Sequence, residues 1–346
     1  MNQLERKDFH SFFQEQVKEE EHVARVTRFS HGIYTLADDT HTYTANLSGR
    51  YHYESVKSRD YPAVGDWVVF QPYENKEKAI IHRLLQRRTL LSRKQAGTGN
   101  EEQVIASNID KVFIVTALTQ EFNVRRLERY VQQVYESGAM PVVVCTKRDL
   151  CKDVEEKIAH VNLSAPGVPA HAVNTLTGEG VELLLAEVQP GETISLIGSS
   201  GVGKSTLINR ILNDEVQKTK QVRESDDRGR HTTTHRELFS MPNDIFIIDT
   251  PGMRELQLWG EERGVESTFV DIERLSLHCK FRDCKHTSEP GCAVQKAIEA
   301  GEIDEGRLKS FKKLKRELHR LELKDRHGQH ITNRMLHGPN KNKFSN

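Results

Sequence analysis

Residues Gly198–Thr206 read GSSGVGKST, directly after the apolar run Ile194–Ile197 and at the start of a helix-forming stretch that opens at Lys204. A glycine-rich segment between strand and helix is the context of a phosphate-binding loop. Gly198, Gly201 and Gly203 let successive backbone N–H groups turn toward phosphate, with Ser199, Ser200 and Val202 completing the loop. The helix N-terminus adds its partial positive charge. Lys204 has the reach for β- and γ-phosphates, the Ser205 hydroxyl suits Mg²⁺, and Thr206 closes the motif.

Such a loop holds ATP and GTP alike, so selectivity must come from elsewhere. Thr146, Lys147, Arg148 and Asp149 follow the apolar strand Pro141–Cys145, which places them at the ligand-binding carboxyl end of a sheet. The Asp149 carboxylate can accept hydrogen bonds from N1–H and the exocyclic amino group of guanine, a pair that adenine lacks. Lys147 can lay its aliphatic stem over the base. Alone, a Lys-x-Asp after a strand is an ordinary surface turn; beside a phosphate loop it reads as a guanine-selecting segment. Thr146 stands where such segments usually carry Asn, and a hydroxyl replaces only part of an amide's bonding, so modest base affinity is expected. Val173, Asn174 and Thr175, at the next strand end, offer a backbone donor to the guanine oxygen. The base-reading segment precedes the phosphate loop by about fifty residues, the reverse of the usual order. The inversion predicts a circularly permuted G domain, which is tolerated because domain termini lie close together.

Two further pieces complete this set. Asp249, Thr250, Pro251 and Gly252 follow the apolar run Ile245–Ile248, giving Asp249 a Mg²⁺-side role and Gly252 a backbone N–H near the γ-phosphate. Gly229–Thr234, GRHTTT, lies in a polar, aperiodic segment and reads as a switch whose Thr233 closes onto Mg²⁺. Met253 occupies the position where many GTPases carry the glutamine that orients the attacking water, and a thioether cannot do so. His231 is therefore the candidate for positioning water, with slow intrinsic turnover raised by a partner that orders the switch; the plainer alternative is a surface histidine.

The whole chain has 346 residues, enough for two or three domains. Its 50 Lys and Arg cancel its 50 Asp and Glu, so any nucleic-acid contact must be local. The N-terminus is polar and acidic, and the apolar runs are strand-sized, so a cytoplasmic protein with no membrane segment is expected. Residues 1–21 read as a charged amphipathic helix with Phe9, Phe12, Phe13 and Val17 on one side, a docking or partly disordered extension. Residues 22–95 hold five short alternating stretches with Gly32, Gly49 and Gly65 as turn residues, the pattern of an OB-fold β-barrel. Gln95–Gln103 reads as a linker, and residues 101–258 alternate strands with helices, an α/β domain with a mostly parallel sheet.

Residues 259–346 are helical, basic and cysteine-bearing. Cys279, Cys284, His286 and Cys292 form CxxxxCxHxxxxxC, a closed tetrahedral set that suits one structural Zn²⁺, and Gly291 eases the turn at the last ligand. Beyond it Leu308, Phe311, Leu314, Leu318 and Leu321 recur at helical spacing as a core stripe. The Lys and Arg residues around them form either a solvated face or a phosphate-backbone contact.

GSSGVGKST, GRHTTT, DTPGMRE, the permuted order and the cysteine segment together resemble the RsgA (YjeQ/YloQ) family of circularly permuted GTPases, and PAVGDWVVF at Pro62–Phe70 extends the resemblance to the barrel. The resemblance implies an OB-fold, a permuted α/β P-loop GTPase domain and a zinc-binding domain. It implies a role in late maturation of the small ribosomal subunit, association with rRNA, and a low intrinsic GTPase activity that the subunit stimulates. Carried over, Thr146–Asp149 and Gly198–Thr206 bind GTP or GDP, the four Cys and His ligands hold zinc, and His231 is catalytic. A monomer is expected. Two alternatives from other classes are an RNA-binding assembly scaffold with a structural nucleotide site and a P-loop kinase.

Overall fold

The computed structural model describes residues 8–73, 77–94, 102–120, 122–219, 236–241, 244–249, 269–313 and 315–316. The chain divides into two compact units, Met1–Trp259 and Gly260–Asn346.

The first unit begins with a single helical turn, α1 (Ser11–Gln14), and then a barrel of β1 (His22–Ser30), β2 (Ile33–Ala37), β3 (Thr42–Leu47), β4 (Trp67–Tyr73) and β5 (Lys78–Leu84), with α2 (Gly49–Glu54) after β3. β1, β2 and β3 form an antiparallel meander, β3 pairs parallel with β5, and β4 pairs antiparallel with both β5 and β1, which closes the barrel. This is the OB arrangement that the spacing of short strands predicts. Alternation sorts the residues: Tyr34 and Leu36 on β2 and Tyr43 and Ala45 on β3 point inward to Val26, Val68, Phe70 and Ile81.

The extension differs from the long helix expected over residues 1–21. Among its described residues, 8–21, only one turn is helical, and Phe9 and Phe13 pack on Trp67 with ring centroids 4.6 and 6.1 Å away, beside Val23, Val69 and Leu85. Aromatic docking on the barrel, rather than helical periodicity, fixes this segment. The expected linker also differs. Glu102 and Gln103 belong to β7 (Glu102–Ser107), which pairs antiparallel with β6 (Leu90–Lys94), so the Gly- and Asn-rich stretch lies between the strands of a ribbon.

Next come β8 (Lys111–Ala117), α3 (Val124–Glu136), β9 (Met140–Thr146), α4 (Val154–Ser164), β10 (Ala170–Ala172) and α5 (Val181–Leu185). β11 (Thr193–Ile197), α6 (Lys204–Thr219), β12 (Glu237–Ser240) and β13 (Phe246–Asp249) complete the unit. Their sheet runs β10-β9-β8-β11-β13-β12, with only β12 antiparallel to its neighbour β13. Counted from β11 as the first strand, and passing from β13 to β8, that order reads 6-5-4-1-3-2. The strands of a single α/β sheet are thus joined in a rotated order.

Both faces of the sheet are covered. Val112 and Ile114 join Leu127, Val131 and Val134 of α3 on one face, while Phe113 and Val115 join Leu207 and Ile211 of α6 on the other. Burial on both faces is why these strands read as continuous apolar runs.

Barrel and sheet meet at Gly65. Its φ is +97°, and a Cβ there would lie 2.1 Å from the Ser107 carbonyl oxygen and 2.9 Å from Ile248 Cδ1. Arg25 of β1 crosses the same junction, donating to the carbonyls of Gly65 and Asn108, to Asp8 and to Thr193.

In the second unit α7 (Val270–Ser276) and α8 (Ala293–Glu299) pack with helical residues 305–313 around Phe269, Ile272, Val294, Leu308 and Phe311. Arg307 grips Asp271 through two bonds of 2.8 and 2.9 Å and lies over the Phe269 ring. Leu308 and Phe311 are core, as their spacing predicts; Leu314, Leu318 and Leu321 fall outside the described residues. No helix among the described residues is long and apolar enough to cross a membrane.

Gly65→Ala is expected to lower stability by about 2–4 kcal/mol, because the methyl meets a backbone oxygen and φ is unfavourable for an L side chain. Denaturant unfolding of the full chain measures it.

Candidate functional site

The carboxyl ends of β11, β8, β9 and β13 carry, in turn, Gly198, Ala117, Thr146 and Asp249. Parallel pairing of β11 with β8 and β13, and of β8 with β9, gathers these ends along one edge, where open α/β sheets bind ligands.

The phosphate loop needs its first glycine. Gly198 has φ +145°, and a Cβ there would sit 2.2 Å from the Val115 carbonyl oxygen. Lys204 Nζ donates to the carbonyls of Gly198 and Ser199, each at 2.6 Å, so the ammonium lies within the loop it would serve. Ser205 and Thr206 open α6 with exposed side chains.

Thr146 joins the two sequence motifs. It is fully buried, and its hydroxyl donates to the Val202 carbonyl in the phosphate loop and, at 3.2 Å, to that of Thr116. Its hydroxyl therefore faces the phosphate loop, and the Gly203 position lies beside it. Lys147 follows in the left-handed region at φ 57°, and a 3-10 turn, Arg148–Leu150, leaves the Asp149 side chain exposed. Arg148 pairs with Glu179 at 2.8 Å. Asn174 and Thr175 are buried at the end of the following strand.

Ser205 opens α6, the helix that follows β11, and Asp249 ends β13, the strand paired with β11; their hydroxyl and carboxylate are oxygen donors of the kind that suits a hard cation such as Mg²⁺. His231, Thr233 and Gly252 lie outside the described residues. Sequence reasoning missed Arg126, whose Nη1 donates to Ser199 Oγ at 2.6 Å, and Arg210 on α6, which donates to the carbonyls of Leu176 and Thr177. Neither belongs to a motif; each reaches the site only because its helix packs beside the loop.

In the second unit the ligand atoms of Cys279, Cys284, His286 and Cys292 all lie within 4.8 Å of one another. Cys279 Sγ is 3.6 Å from His286 Nδ1 and 3.9 Å from Cys292 Sγ, and Cys292 Sγ is 3.4 Å from His286 Nδ1. Ligands about 2.0–2.3 Å from a tetrahedral zinc are about 3.3–3.8 Å apart, so the set fits that ion. His286 is held at φ 56°, and Gln295 Nε2 and Lys312 Nζ donate to its carbonyl at 2.6 and 2.8 Å. Burial opposes ionisation of Cys279, but the amides of Ala293 and Val294 and the neighbouring thiols bring its pKa below the usual value. By contrast, burial pushes the Cys145 thiol up to about 12, which marks it as core.

A phosphate loop after a central strand of a parallel sheet, with the Thr146–Asp149 segment earlier in the chain and the strands joined in a rotated order, defines a circularly permuted P-loop GTPase. A profile of the RsgA GTPase family matches residues 84–259. Among curated relatives, the small ribosomal subunit biogenesis GTPase RsgA 1 of Oceanobacillus iheyensis is 48% identical over 303 residues, 87% of this chain and 86% of that protein. The RsgA 2 protein of Vibrio parahaemolyticus is 42% identical over 320 residues, 91% of this chain and 86% of its own. The chain belongs to the RsgA GTPase family and is a GTP-hydrolysing enzyme.

Among solved structures, YjeQ from Thermotoga maritima aligns with a TM-score of 0.65 at 25% identity, covering 86% of this chain and 98% of that one. YloQ, described as a circularly permuted GTPase, shares the fold with a TM-score of 0.64 at 24% identity, covering 90% of this chain and 98% of its own. An ABC transporter profile also matches residues 183–337, a span that includes the strand, phosphate loop and helix common to P-loop proteins.

Reduced protein is expected to carry one zinc per chain. Cys292→Ala should lose it and expose residues 260–346 to limited proteolysis, read by metal analysis and digestion.

Proposed function

We propose that this GTPase assists late maturation of the small ribosomal subunit and that hydrolysis of its GTP to GDP resets its grip on the particle. The observation that carries the nucleotide reading is the Thr146 bond to the phosphate loop, which brings both recognition motifs into one site. The subunit enters through relatives named as small ribosomal subunit biogenesis GTPases, matched over most of the chain.

In this reading the amides of Gly198–Ser205 and the Lys204 ammonium hold the phosphates, and Asp149 and Lys147 select and cover guanine. Ser205, Asp249 and Thr233 hold Mg²⁺, which neutralises phosphate charge when bound. Hydrolysis needs a water aligned behind the γ-phosphorus, opposite the departing GDP oxygen. Met253 has no group to orient it, so His231 takes that role and Gly252 senses the γ-phosphate through its amide. Structural Zn²⁺ holds the Cys279–Cys292 segment in shape for rRNA.

The turn at Asp249–Gly252 leads in sequence into the zinc unit, so a γ-phosphate sensor is covalently continuous with an RNA-facing module. Binding states that differ at this turn then differ in affinity for the subunit. The protein acts as a monomer in the cytoplasm.

Co-sedimentation with purified small subunits should show tighter binding with a non-hydrolysable GTP analogue than with GDP; equal affinity would refute the coupling. His231→Ala is expected to lower subunit-stimulated phosphate release by about 10²-fold with GDP affinity kept. Absence of multiple turnover in the unaltered protein would favour the scaffold instead.

A further inference from the structure

The loop after β10, residues 174–179, closes on itself. Asn174 Oδ1 accepts from the amides of Leu176 and Thr177 at 3.0 and 3.3 Å. The Gly178 amide donates to the Asn174 carbonyl at 2.8 Å, and the Asn174 amide donates to that of Glu179 at 2.9 Å. These bonds set the internal shape of the loop but not its position against the Arg148–Leu150 turn.

Backbone bonds from Val173 to Cys145 and from Arg148 to Val173, at 2.8 and 3.4 Å, anchor its start, and side-chain contacts hold the rest. Arg148 pairs with Glu179 from one side. From the other, Arg210 of α6 donates through Nη1 to the Leu176 carbonyl at 3.4 Å and through Nη2 to that of Thr177 at 3.0 Å. Gly178, at φ +88°, lies against the guanidinium so closely that a Cβ would be 2.5 Å from Nη2. Arg210 therefore holds the loop through its backbone carbonyls. It stands six residues beyond Lys204, about 9 Å along the helix that begins at the phosphate loop.

We propose that Arg210 is a specificity-determining positioning residue: from the phosphate-binding helix it fixes the backbone at Thr175, whose amide then serves the guanine oxygen, and so sets selectivity for guanine over adenine nucleotides. This rests on the guanine reading of the site. The physical reason is the two-faced peptide group. A fixed amide N–H donates to guanine's oxygen and opposes adenine's amino group, itself a donor, whereas a peptide free to turn over can offer its carbonyl to adenine instead. Because Arg210 makes exposed hydrogen bonds, its loss should register in selectivity more than in stability.

The test is calorimetric binding of GDP, IDP and ADP to the full chain and to Arg210→Ala and Arg210→Lys. IDP keeps the base oxygen and lacks the amino group read by Asp149. In Arg210→Ala, GDP and IDP should weaken together by about tenfold while ADP is unchanged. Lysine, which can bond a carbonyl but cannot lie flat under Gly178, should restore part of the loss, and thermal unfolding should stay near that of the unaltered protein. Equal weakening of all three nucleotides, or an unchanged GDP-to-ADP ratio, would overturn the inference alone. An unaltered protein without preference for GDP would overturn the guanine reading with it.

Discussion

One guanidinium ties the first unit together. Arg25 is 1% exposed and pairs with the equally buried Asp8 at 2.7 Å. Its remaining donors reach the carbonyls of Gly65 and Asn108 and the hydroxyl of Thr193, and its plane lies near the rings of Trp67 and Phe246. A charge taken out of water in this way is tolerable only with its partners in place, and removal of one such partner typically costs roughly 3–5 kcal/mol. The same side chain therefore registers the N-terminal extension, the barrel, the turn into β8 and the start of β11. Since β11 runs straight into the phosphate loop, the barrel and the nucleotide site share one frame.

Within that frame the permuted order of the chain is of little chemical consequence. The sheet brings strand ends together according to hydrogen-bonded register, and Ala117 stands opposite Thr146 whichever half of the domain comes first. The connectivity matters instead for what is attached to each end. The barrel precedes β8, while the strand that ends at Asp249 precedes the second unit. A domain in the ordinary order would place other elements at those ends.

The second unit solves a different problem. Its helices are short, and its described core is small, centred on Phe269, Ile272, Val294, Leu308 and Phe311. The left-handed His286, the amides at the start of α8 and the Glu289 carboxylate bonded to the amides of Lys285 and Thr287 shape the ligand loop. Bonds of that kind hold the Glu289 pKa down, at about 2.

Local chemistry was legible from residues alone. The strand before the phosphate loop, the five barrel strands and the cysteine spacing follow from short-range pattern, because alternation and turn glycines act over a few residues. The β6–β7 ribbon was hidden by a Gly- and Asn-rich stretch that resembles a linker, and the extension by a helical period that aromatic docking overrides. Tertiary structure alone decided that the Thr146 hydroxyl faces Val202, that Arg210 grips the loop after β10, and that Arg25 meets Thr193 across 168 positions of sequence. Hydrogen bonds of that span leave no periodic trace in a single chain, since their geometry exists only once the sheet and barrel have closed on each other.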